Sequence, residues 1–269
     1  MKNRLPIGVC DSGVGGTSVV KQLMQVLPNE QIVYFGDTAR VPYGPRPIPE
    51  IKQFMEEIME FFAQHQVKLA VIACGTMTSQ AMEAVKHKFG FPIVGVSSGA
   101  RSAIAATRNK KIGVLATQGA VASGYHSQRI MALDPDVTVV PQACPQWVPL
   151  VEKGQLDGEE VRRVSTAYLA PMKEAGVDTI ILGCTHYPYL RDVIAEIMGS
   201  EVTLIDPAIE TAEEAKLVMD SLAIQNYERS VLEHQFFFSK NPDQMRQLVE
   251  KLMDTQLPAF KLAAFGEIC

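Results

Sequence analysis

The sequence has no apolar run long enough to cross a membrane, since its longest runs fall far below the about 18–20 residues that a spanning helix needs. Residues 1–5 carry two basic side chains, but a strand-like stretch with a glycine follows them, not the apolar core of a signal peptide. Lysine and arginine form no cluster, and the formal net charge of −5 argues against a surface that binds nucleic acid. These absences predict a cytoplasmic protein without a membrane or nucleic-acid partner.

Paired cysteine motifs are also lacking. The 5 cysteines, at positions 10, 74, 144, 184 and 269, are widely spaced, and no Cys-x-x-Cys pair or His/Cys cluster has zinc-ligand spacing. Because cytosolic thiols stay reduced, we expect neither a disulfide framework nor a structural metal. Cys10 and Cys144 are predicted to be small buried residues, and the terminal Cys269 is expected to fray.

The sequence does contain ample material for a folded core. Of its 269 residues, 47% are hydrophobic and 20% charged, which fits a globular protein of one large domain or two smaller ones. Short apolar runs alternate with helical stripes, such as Val20, Leu23, Met24 and Leu27. The runs predict strands at residues 7–10, 32–35, 69–73, 93–96, 112–116, 137–140, 179–182 and 202–205. This alternation predicts an α/β fold with mostly parallel sheets.

A weak internal repeat predicts two related halves. The triplet Ile-Gly-Val occurs at residues 7–9 and 112–114, and an apolar run that leads to a cysteine follows each copy at a similar distance. We therefore predict two pseudo-symmetric α/β domains, residues 1–96 with 207–269 and residues 97–206, with the active site in the cleft between them. Few strand signals follow Asp206, so the last helices, one capped by Asn241, are expected to pack on the first domain.

Two cysteines stand in matching positions. Cys74 follows the apolar run 69–72 and Cys184 follows the run 179–182, and small or polar residues surround both. Such runs are typical of buried parallel strands, and open α/β sheets bind ligands at the carboxyl ends of their strands. Two thiols in matched settings favour a reaction that removes a proton from one face of a carbon and returns one to the other face. His186, next but one to Cys184, is placed to favour the thiolate or to relay its proton.

A glycine-rich segment, residues 11–17 (DSGVGGT), follows the first predicted strand and opens a helix. Glycines there let backbone N–H groups approach an anion at a helix N-terminus. The segment is neither a P-loop nor a Gly-x-Gly-x-x-Gly motif, so it supports a nucleotide only weakly and fits a small carboxylate ligand equally well. Asp11 is then available to an ammonium group or to a thiol. The remaining histidines, at 65, 87, 126 and 234, are predicted to lie on the surface.

Taken together, these residues resemble the glutamate racemase branch of the aspartate/glutamate racemase family. The motifs that carry the resemblance are residues 11–16 (DSGVGG), 36–44 (GDTARVPYG), Cys74 with Thr76, 148–152 (VPLVE) and 183–188 (GCTHYP). The resemblance covers most of the chain. It implies that Cys74 and Cys184 are the two catalytic acid/base groups, that Asp11 assists Cys74, and that Glu152 and His186 assist Cys184.

The resemblance also implies the substrate and its binding residues. Those residues are Ser12, Pro42, Tyr43, Gly44, Gly75, Thr76, Thr117 and Thr185. The expected reaction interconverts L- and D-glutamate without a cofactor or a metal, and it supplies D-glutamate for the peptidoglycan of a bacterial cell wall. We further expect a cytoplasmic homodimer whose partner molecule is its amino-acid substrate.

Two positions depart from the family pattern. Gly75 replaces the usual asparagine and Ala120 the usual threonine, and each change is predicted to remove a polar side chain from the substrate pocket and to make room there. One alternative is therefore a racemase of the same mechanism that acts on aspartate or on a bulkier amino acid. A decarboxylase or isomerase that needs only one of the cysteines is a second alternative. A non-catalytic, two-lobed protein that binds a small molecule is a third.

Overall fold

The computed structural model describes residues 2–228, 233–257 and 261–263, so the prediction for Cys269 lies outside the described residues. The described chain forms two parallel β-sheets with helices on their faces, and the predicted α/β fold is confirmed. Short 3-10 turns occupy Lys2–Arg4 and Tyr187–Leu190. Within the described ranges, no helix combines the length and the apolar character that a membrane crossing requires.

The first sheet has six strands in the order β10-β9-β2-β1-β3-β4, and every neighbouring pair is parallel. Its strands are β1 (Ile7–Asp11), β2 (Ile32–Gly36), β3 (Leu69–Ile72), β4 (Ile93–Gly95), β9 (Gln235–Phe238) and β10 (Lys261–Leu262). The helices next to these strands in the chain are α1 (Thr17–Val26), α2 (Ile48–Gln64), α3 (Gly75–Gln80), α4 (Met82–Val85), α11 (Pro207–Ser221) and α12 (Pro242–Met253). Two apolar clusters cover the two faces of this sheet.

The second sheet has four parallel strands in the order β6-β5-β7-β8. They are β5 (Lys111–Ala116), β6 (Thr138–Ala143), β7 (Thr179–Leu182) and β8 (Thr203–Ile205). Its helices are α5 (Ala100–Ala106), α6 (Gln118–Ala122), α7 (Tyr125–Leu133), α8 (Trp147–Glu152), α9 (Glu159–Ala175) and α10 (Arg191–Met198). The chain passes from one sheet to the other twice, after β4 and after β8. The carboxyl ends of the strands in both sheets are available to form one site.

Each predicted strand is present, and most differ from the prediction by a residue at one end. The largest difference is β6, which extends through Pro141 to Ala143, whereas the prediction ended it at residue 140. A proline donates no hydrogen bond to a sheet, so it is tolerated where one side of the strand is unpaired. Because β6 is the edge strand of its sheet, Pro141 fits there without breaking the ladder.

The prediction of few strand signals after Asp206 missed β9 and β10. In β9, Phe236 and Phe238 point into one apolar cluster and Phe237 into the other, as expected of a strand buried on both faces. Asn241 stands at the N-cap position of the last helix, as predicted. Asn241 has a left-handed backbone (φ 50°) and its side chain makes no capping hydrogen bond, while Pro242 does open α12.

Candidate active site

Cys74 and Cys184 line one cavity between the carboxyl ends of the two sheets. Cys74 lies two residues after the end of β3 and directly before α3, and Cys184 lies two residues after the end of β7. Both side chains are largely buried. The cavity is also lined by Ser12, Pro42, Tyr43, Gly44, Gly75, Thr76, Thr117, Thr185 and His186, so the structure places every predicted substrate-binding residue on its wall.

Four further lining residues were not predicted. They are Pro45, Gln118, Pro145 and Val148. Gln118 directly follows Thr117 at the end of β5, so its position after a strand was a usable signal. Pro145 and Val148 lie on either side of the start of α8, which the sequence marked only through its motif at residues 148–152.

Cys74 is a thiol in an environment that disfavours its charge. Burial, and secondly the charge of Asp11, raise the pKa of Cys74 to about 12, although backbone N–H groups of the following helix oppose this rise. The sulfur lies 4.0 Å from the Ser12 Oγ, at the long limit for a sulfur hydrogen bond. The surroundings therefore hold Cys74 in its protonated form at neutral pH.

Cys184 belongs to a chain of three acid/base side chains. Its sulfur lies 3.8 Å from His186 Nδ1, and His186 Nε2 donates to Glu152 Oε1 at 2.7 Å. Burial by itself lowers the pKa of His186, but hydrogen bonds with Cys184 and Glu152 outweigh burial and raise that pKa well above its usual value. The imidazole is thus positioned to hold a proton next to the Cys184 sulfur. Glu152 does not line the cavity and is connected to Cys184 only through His186.

The glycine-rich segment binds an anion, but that anion is the carboxylate of Glu152. The Val14 N–H donates to Glu152 Oε1 at 2.8 Å, the same oxygen that accepts from His186. A β-carbon added at Gly13 would lie 1.9 Å from this oxygen, and one added at Gly15 would lie 2.3 Å from His186 Nδ1. The predicted role of these glycines, an approach to a ligand anion, is therefore corrected. They let the Glu152–His186 pair approach the backbone after β1.

Asp11 lies outside the cavity and links the segment after β1 to the segment after β7. Its Oδ1 accepts the Gly13 N–H and its Oδ2 accepts the Thr185 hydroxyl, both at 2.9 Å. Burial raises the pKa of Asp11, against the opposing effects of His186 and these two hydrogen bonds. Asp11 is fully buried and does not line the cavity; its links to the lining residues are the hydrogen bond from Thr185 and its charge next to Cys74.

Tyr43 is held in the cavity wall by Asp37. The Tyr43 hydroxyl donates to the buried Asp37 carboxylate, which also accepts from Arg40 and, at 2.7 Å, from the Ser239 hydroxyl. Burial and the neighbouring Asp37 charge raise the pKa of Tyr43 far above neutrality, so the phenol stays protonated. Segment 36–44 is therefore part of the wall of the site, with its charged residues turned away from the cavity.

The two departures from the family pattern have different surroundings. Gly75 lines the cavity, and a β-carbon there would lie 3.0 Å from the carbonyl oxygen of Gly183 and near no other atom. Ala120 is 1% exposed, packs in an apolar cluster with Ile112 and Ile130 and does not itself line the cavity, although its N–H donates to the hydroxyl of the lining residue Thr117 at 3.2 Å. Of the two departures, only Gly75 therefore lies on the cavity wall, and the space expected at Ala120 stays a prediction.

The predictions for the other cysteines and histidines had mixed outcomes. Cys10 and Cys144 are buried free thiols, as predicted. His87 is exposed and His65 is half-buried. His126 is 3% exposed, so its predicted surface position is wrong. Its ring is buried because Nδ1 has a partner inside the protein, the carbonyl of Ser98 at 2.9 Å. Among the described residues, no group of three His, Cys, Asp or Glu side chains is placed to hold a metal ion.

Comparison with known families agrees with this geometry. Residues 7–215 match the model of the Asp/Glu/Hydantoin racemase family. The chain belongs to this family. The resemblance inferred from the motifs is thus confirmed, and so is the predicted enzyme class, an isomerase of the racemase type.

Individual relatives are similar over almost the whole chain. The glutamate racemase of Oceanobacillus iheyensis is 45% identical over 233 residues, which cover 86% of this chain and 85% of that protein. The glutamate racemase of Lactococcus lactis subsp. lactis is 43% identical over 255 residues, 94% of this chain and 93% of the relative.

Solved structures share the fold as well. A glutamate racemase isoform of Bacillus anthracis superposes with a TM-score of 0.90 at 34% identity and 98% coverage of both chains. The glutamate racemase of Francisella tularensis, crystallised with D-glutamate, gives a TM-score of 0.87 at 31% identity over 99% of this chain and 98% of its own.

Proposed function

We propose that this protein interconverts L- and D-glutamate without a cofactor, by proton transfer to and from two cysteines. One observation carries the proposal: Cys74 and Cys184, which follow strands of different sheets, line the same cavity. The named activity of relatives that are 45% and 43% identical supports glutamate as the substrate. The alternatives with one essential cysteine would leave the second thiol of the cavity without a role.

The mechanism uses the different environments of the two thiols. In one direction the sulfur of Cys184, as thiolate beside a protonated His186, takes the Cα proton of the substrate. The Cα–H bond breaks, its electron pair stays on Cα, and the thiol proton of Cys74 then bonds to the opposite face. In the other direction the same two transfers run in reverse. Since general acid and base groups each contribute roughly 10²–10⁴-fold to a rate, neither thiol is dispensable.

Neutral donors bind the substrate in this proposal. Apart from His186, the residues that line the cavity carry no cationic side chain. The side chains of Ser12, Thr76, Thr117 and Gln118, together with backbone N–H groups at the strand ends, are therefore the donors available to the two carboxylates, whereas the Thr185 hydroxyl donates to Asp11. The Thr76 and Thr117 hydroxyls hydrogen-bond to each other at 2.9 Å, which leaves one of their two protons for a carboxylate oxygen. Space beside Gly75 would also admit a larger side chain, which keeps a bulkier amino acid as an outcome of the assay.

We also propose the organisation and cellular role that the sequence predicted. The division into residues 1–96 with 207–269 and residues 97–206 is supported by the strands, because each proposed domain contains all the described strands of one sheet. A homodimer is supported by exposed apolar side chains on neighbouring helices, such as Leu133, Ile209 and Leu217. The bacterial relatives support a role in supplying D-glutamate for peptidoglycan in the cytoplasm.

The test is to incubate the protein with single enantiomers of glutamate, aspartate and several larger amino acids in D2O. We expect deuterium at Cα together with the opposite enantiomer, fastest for glutamate. Cys74→Ser and Cys184→Ser are each expected to lower kcat by roughly 10²–10⁴-fold, because a serine hydroxyl is a much weaker acid and base than a thiol near neutral pH. Cys144→Ala, which removes a buried thiol outside the cavity, is the matched control.

Three results would contradict the proposal. Near-normal turnover by either serine variant would exclude a two-thiol mechanism. A strong preference for another amino acid would change the substrate and leave the reaction type in place. Tight binding of an amino acid without any deuteration at Cα would favour a non-catalytic binding protein.

A further inference from the structure

The first connection between the two sheets, residues 96–99, is fastened to the helix α7 of the second sheet. It leaves β4 after Gly95 and enters α5 at Ala100. The Tyr125 hydroxyl donates to the Val96 carbonyl at 3.0 Å, and His126 Nδ1 donates to the Ser98 carbonyl at 2.9 Å. Two adjacent residues at the start of α7 therefore fix two carbonyls of the connection.

Ser97, the residue between these two carbonyls, forms hydrogen bonds with α11. The Ser97 hydroxyl donates to Glu210 Oε2 at 2.6 Å, and the Ser97 N–H donates to the Thr211 hydroxyl at 2.9 Å. Glu210 and Thr211 lie in the helix that follows the second connection between the sheets. Polar side chains thus fix three consecutive residues of the first connection, and this joint has little freedom to shift without breaking hydrogen bonds.

The other edge of the His126 ring faces the loop that carries Cys184. A β-carbon added at Gly183 would lie 2.8 Å from His126 Nε2, so the ring contacts the backbone of the residue directly before Cys184. His126 is 3% exposed, and burial lowers its pKa, which leaves a neutral ring with a single N–H. Because a carbonyl can only accept, that N–H is on Nδ1 and points at Ser98. The ring is therefore packed tightly between the connection and the Cys184 loop.

We propose that His126 is a positioning residue for Cys184, and that with Tyr125 it sets the placement of the Cys184 sulfur relative to Cys74 by tying the Cys184 loop to the connection between the sheets. The inference rests on the proposed two-thiol reaction. His126 does not line the cavity, so it touches neither the substrate nor the reacting atoms. Its effect passes through the backbone of Gly183.

The test compares three changes. His126→Leu removes both the donor to Ser98 and the ring edge at Gly183, whereas His126→Asn keeps a donor for Ser98 but is too short to reach Gly183. His87→Asn, on an exposed histidine, is the matched control. Since a misplacement of about 1 Å can cost about 10²-fold in rate, we expect His126→Leu to lower kcat by tenfold to a hundredfold with a smaller change in KM. His126→Asn is expected to lower kcat as well, because the contact with Gly183 is lost.

A second measurement does not depend on turnover. The rates at which a small alkylating reagent modifies Cys184 and Cys74 are measured on separated peptides by mass spectrometry. We expect the ratio of the two rates to change in His126→Leu and in His126→Asn and to stay near the wild-type ratio in His87→Asn. If His126→Leu does not fold, Tyr125→Phe, which removes only the hydrogen bond to Val96, is measured in the same way and is expected to change the ratio in the same direction.

The outcomes separate this inference from the proposed function. An unchanged alkylation ratio and unchanged kcat in the leucine variant would overturn the positioning role, as would an asparagine variant that behaves like the wild type. A wild-type protein that racemises no amino acid would overturn the proposed function, and the alkylation ratio would still decide whether His126 positions Cys184.

Discussion

Replacing Glu152 by glutamine tests the chain of side chains that ends at Cys184. In the structure a single oxygen, Oε1, accepts both from the Val14 N–H and from His186 Nε2. Glutamine has the same shape and keeps an oxygen that can accept both bonds, so Glu152→Gln removes the negative charge and little else. The variant therefore isolates what that charge does for His186.

The size of the effect follows from the two hydrogen bonds. A hydrogen bond to a charged group contributes about 1.5–3 kcal/mol and a neutral one about 0.5–1.5 kcal/mol. Both groups are largely buried, with side-chain exposures of 2% for His186 and 12% for Glu152, so solvent screens the pair only weakly. We expect the protonated form of His186 to lose about 1–3 kcal/mol of stabilisation. Since about 1.4 kcal/mol corresponds to tenfold in rate, kcat should fall by about tenfold to a hundredfold.

The assay measures kcat and KM with each enantiomer separately. Because two enantiomers have equal free energies, kcat/KM must fall by the same factor in both directions, and an asymmetry can appear only in kcat and KM taken separately. We expect the larger loss of kcat in the direction in which Cys184 removes the proton. Glu174→Gln, which removes an exposed carboxylate on α9, is the control and should leave both directions unchanged.

The pH dependence of stability gives an independent check. The folded-state pKa of His186 is raised above its unfolded value of about 6.5. The stability that protonated His186 contributes is therefore complete below the unfolded pKa and is lost as the pH rises through the folded-state pKa. Glu152→Gln lowers the folded-state pKa, so this loss should be smaller and should be complete at a lower pH in urea titrations of the variant. A kcat within twofold of wild type, with an unchanged stability profile, would refute the reasoning.

Three further predictions follow from the structure. Gly13→Ala places a β-carbon 1.9 Å from Glu152 Oε1, so it should lower kcat at least as much as Glu152→Gln, and a smaller loss would show that the carboxylate can move at no cost. Gly75→Asn restores a polar group at the cavity wall and should lower KM for glutamate by about threefold to tenfold relative to Gly75→Ala. The alanine variant is the control because both variants meet the same contact of 3.0 Å with Gly183. Equal KM values would contradict a role for the amide. Hydrogen bonds outweigh burial and lower the folded-state pKa of Asp178. Asp178→Asn should therefore cost about 2 kcal/mol of unfolding free energy at pH 7, and this difference should disappear as the pH falls through that pKa. A difference that does not depend on pH would contradict this prediction.

Local patterns were sufficient for most of the elements and for the two cysteines. Short apolar runs are typical of strands that are buried on both faces, so runs such as 69–72 predicted β3 from the local sequence. The β9 strand was missed because its aromatic run gains a partner only through β2, which lies about 200 residues earlier in the chain. The burial of His126 was missed for the same reason, since it depends on a carbonyl from another element.

The sequence by itself determined that two thiols follow two strands and that glycines follow the first strand, because these features depend on neighbours along the chain. The tertiary structure alone decided what those groups contact. It placed Glu152 of α8 next to the Val14 N–H and His186. The Glu152 carboxylate therefore occupies the anion position that we predicted for a ligand. The tertiary structure also placed Gly75 on the cavity wall and Ala120 in a core. Contacts of this kind depend on the packing of elements that are distant in sequence, and no local periodicity records them.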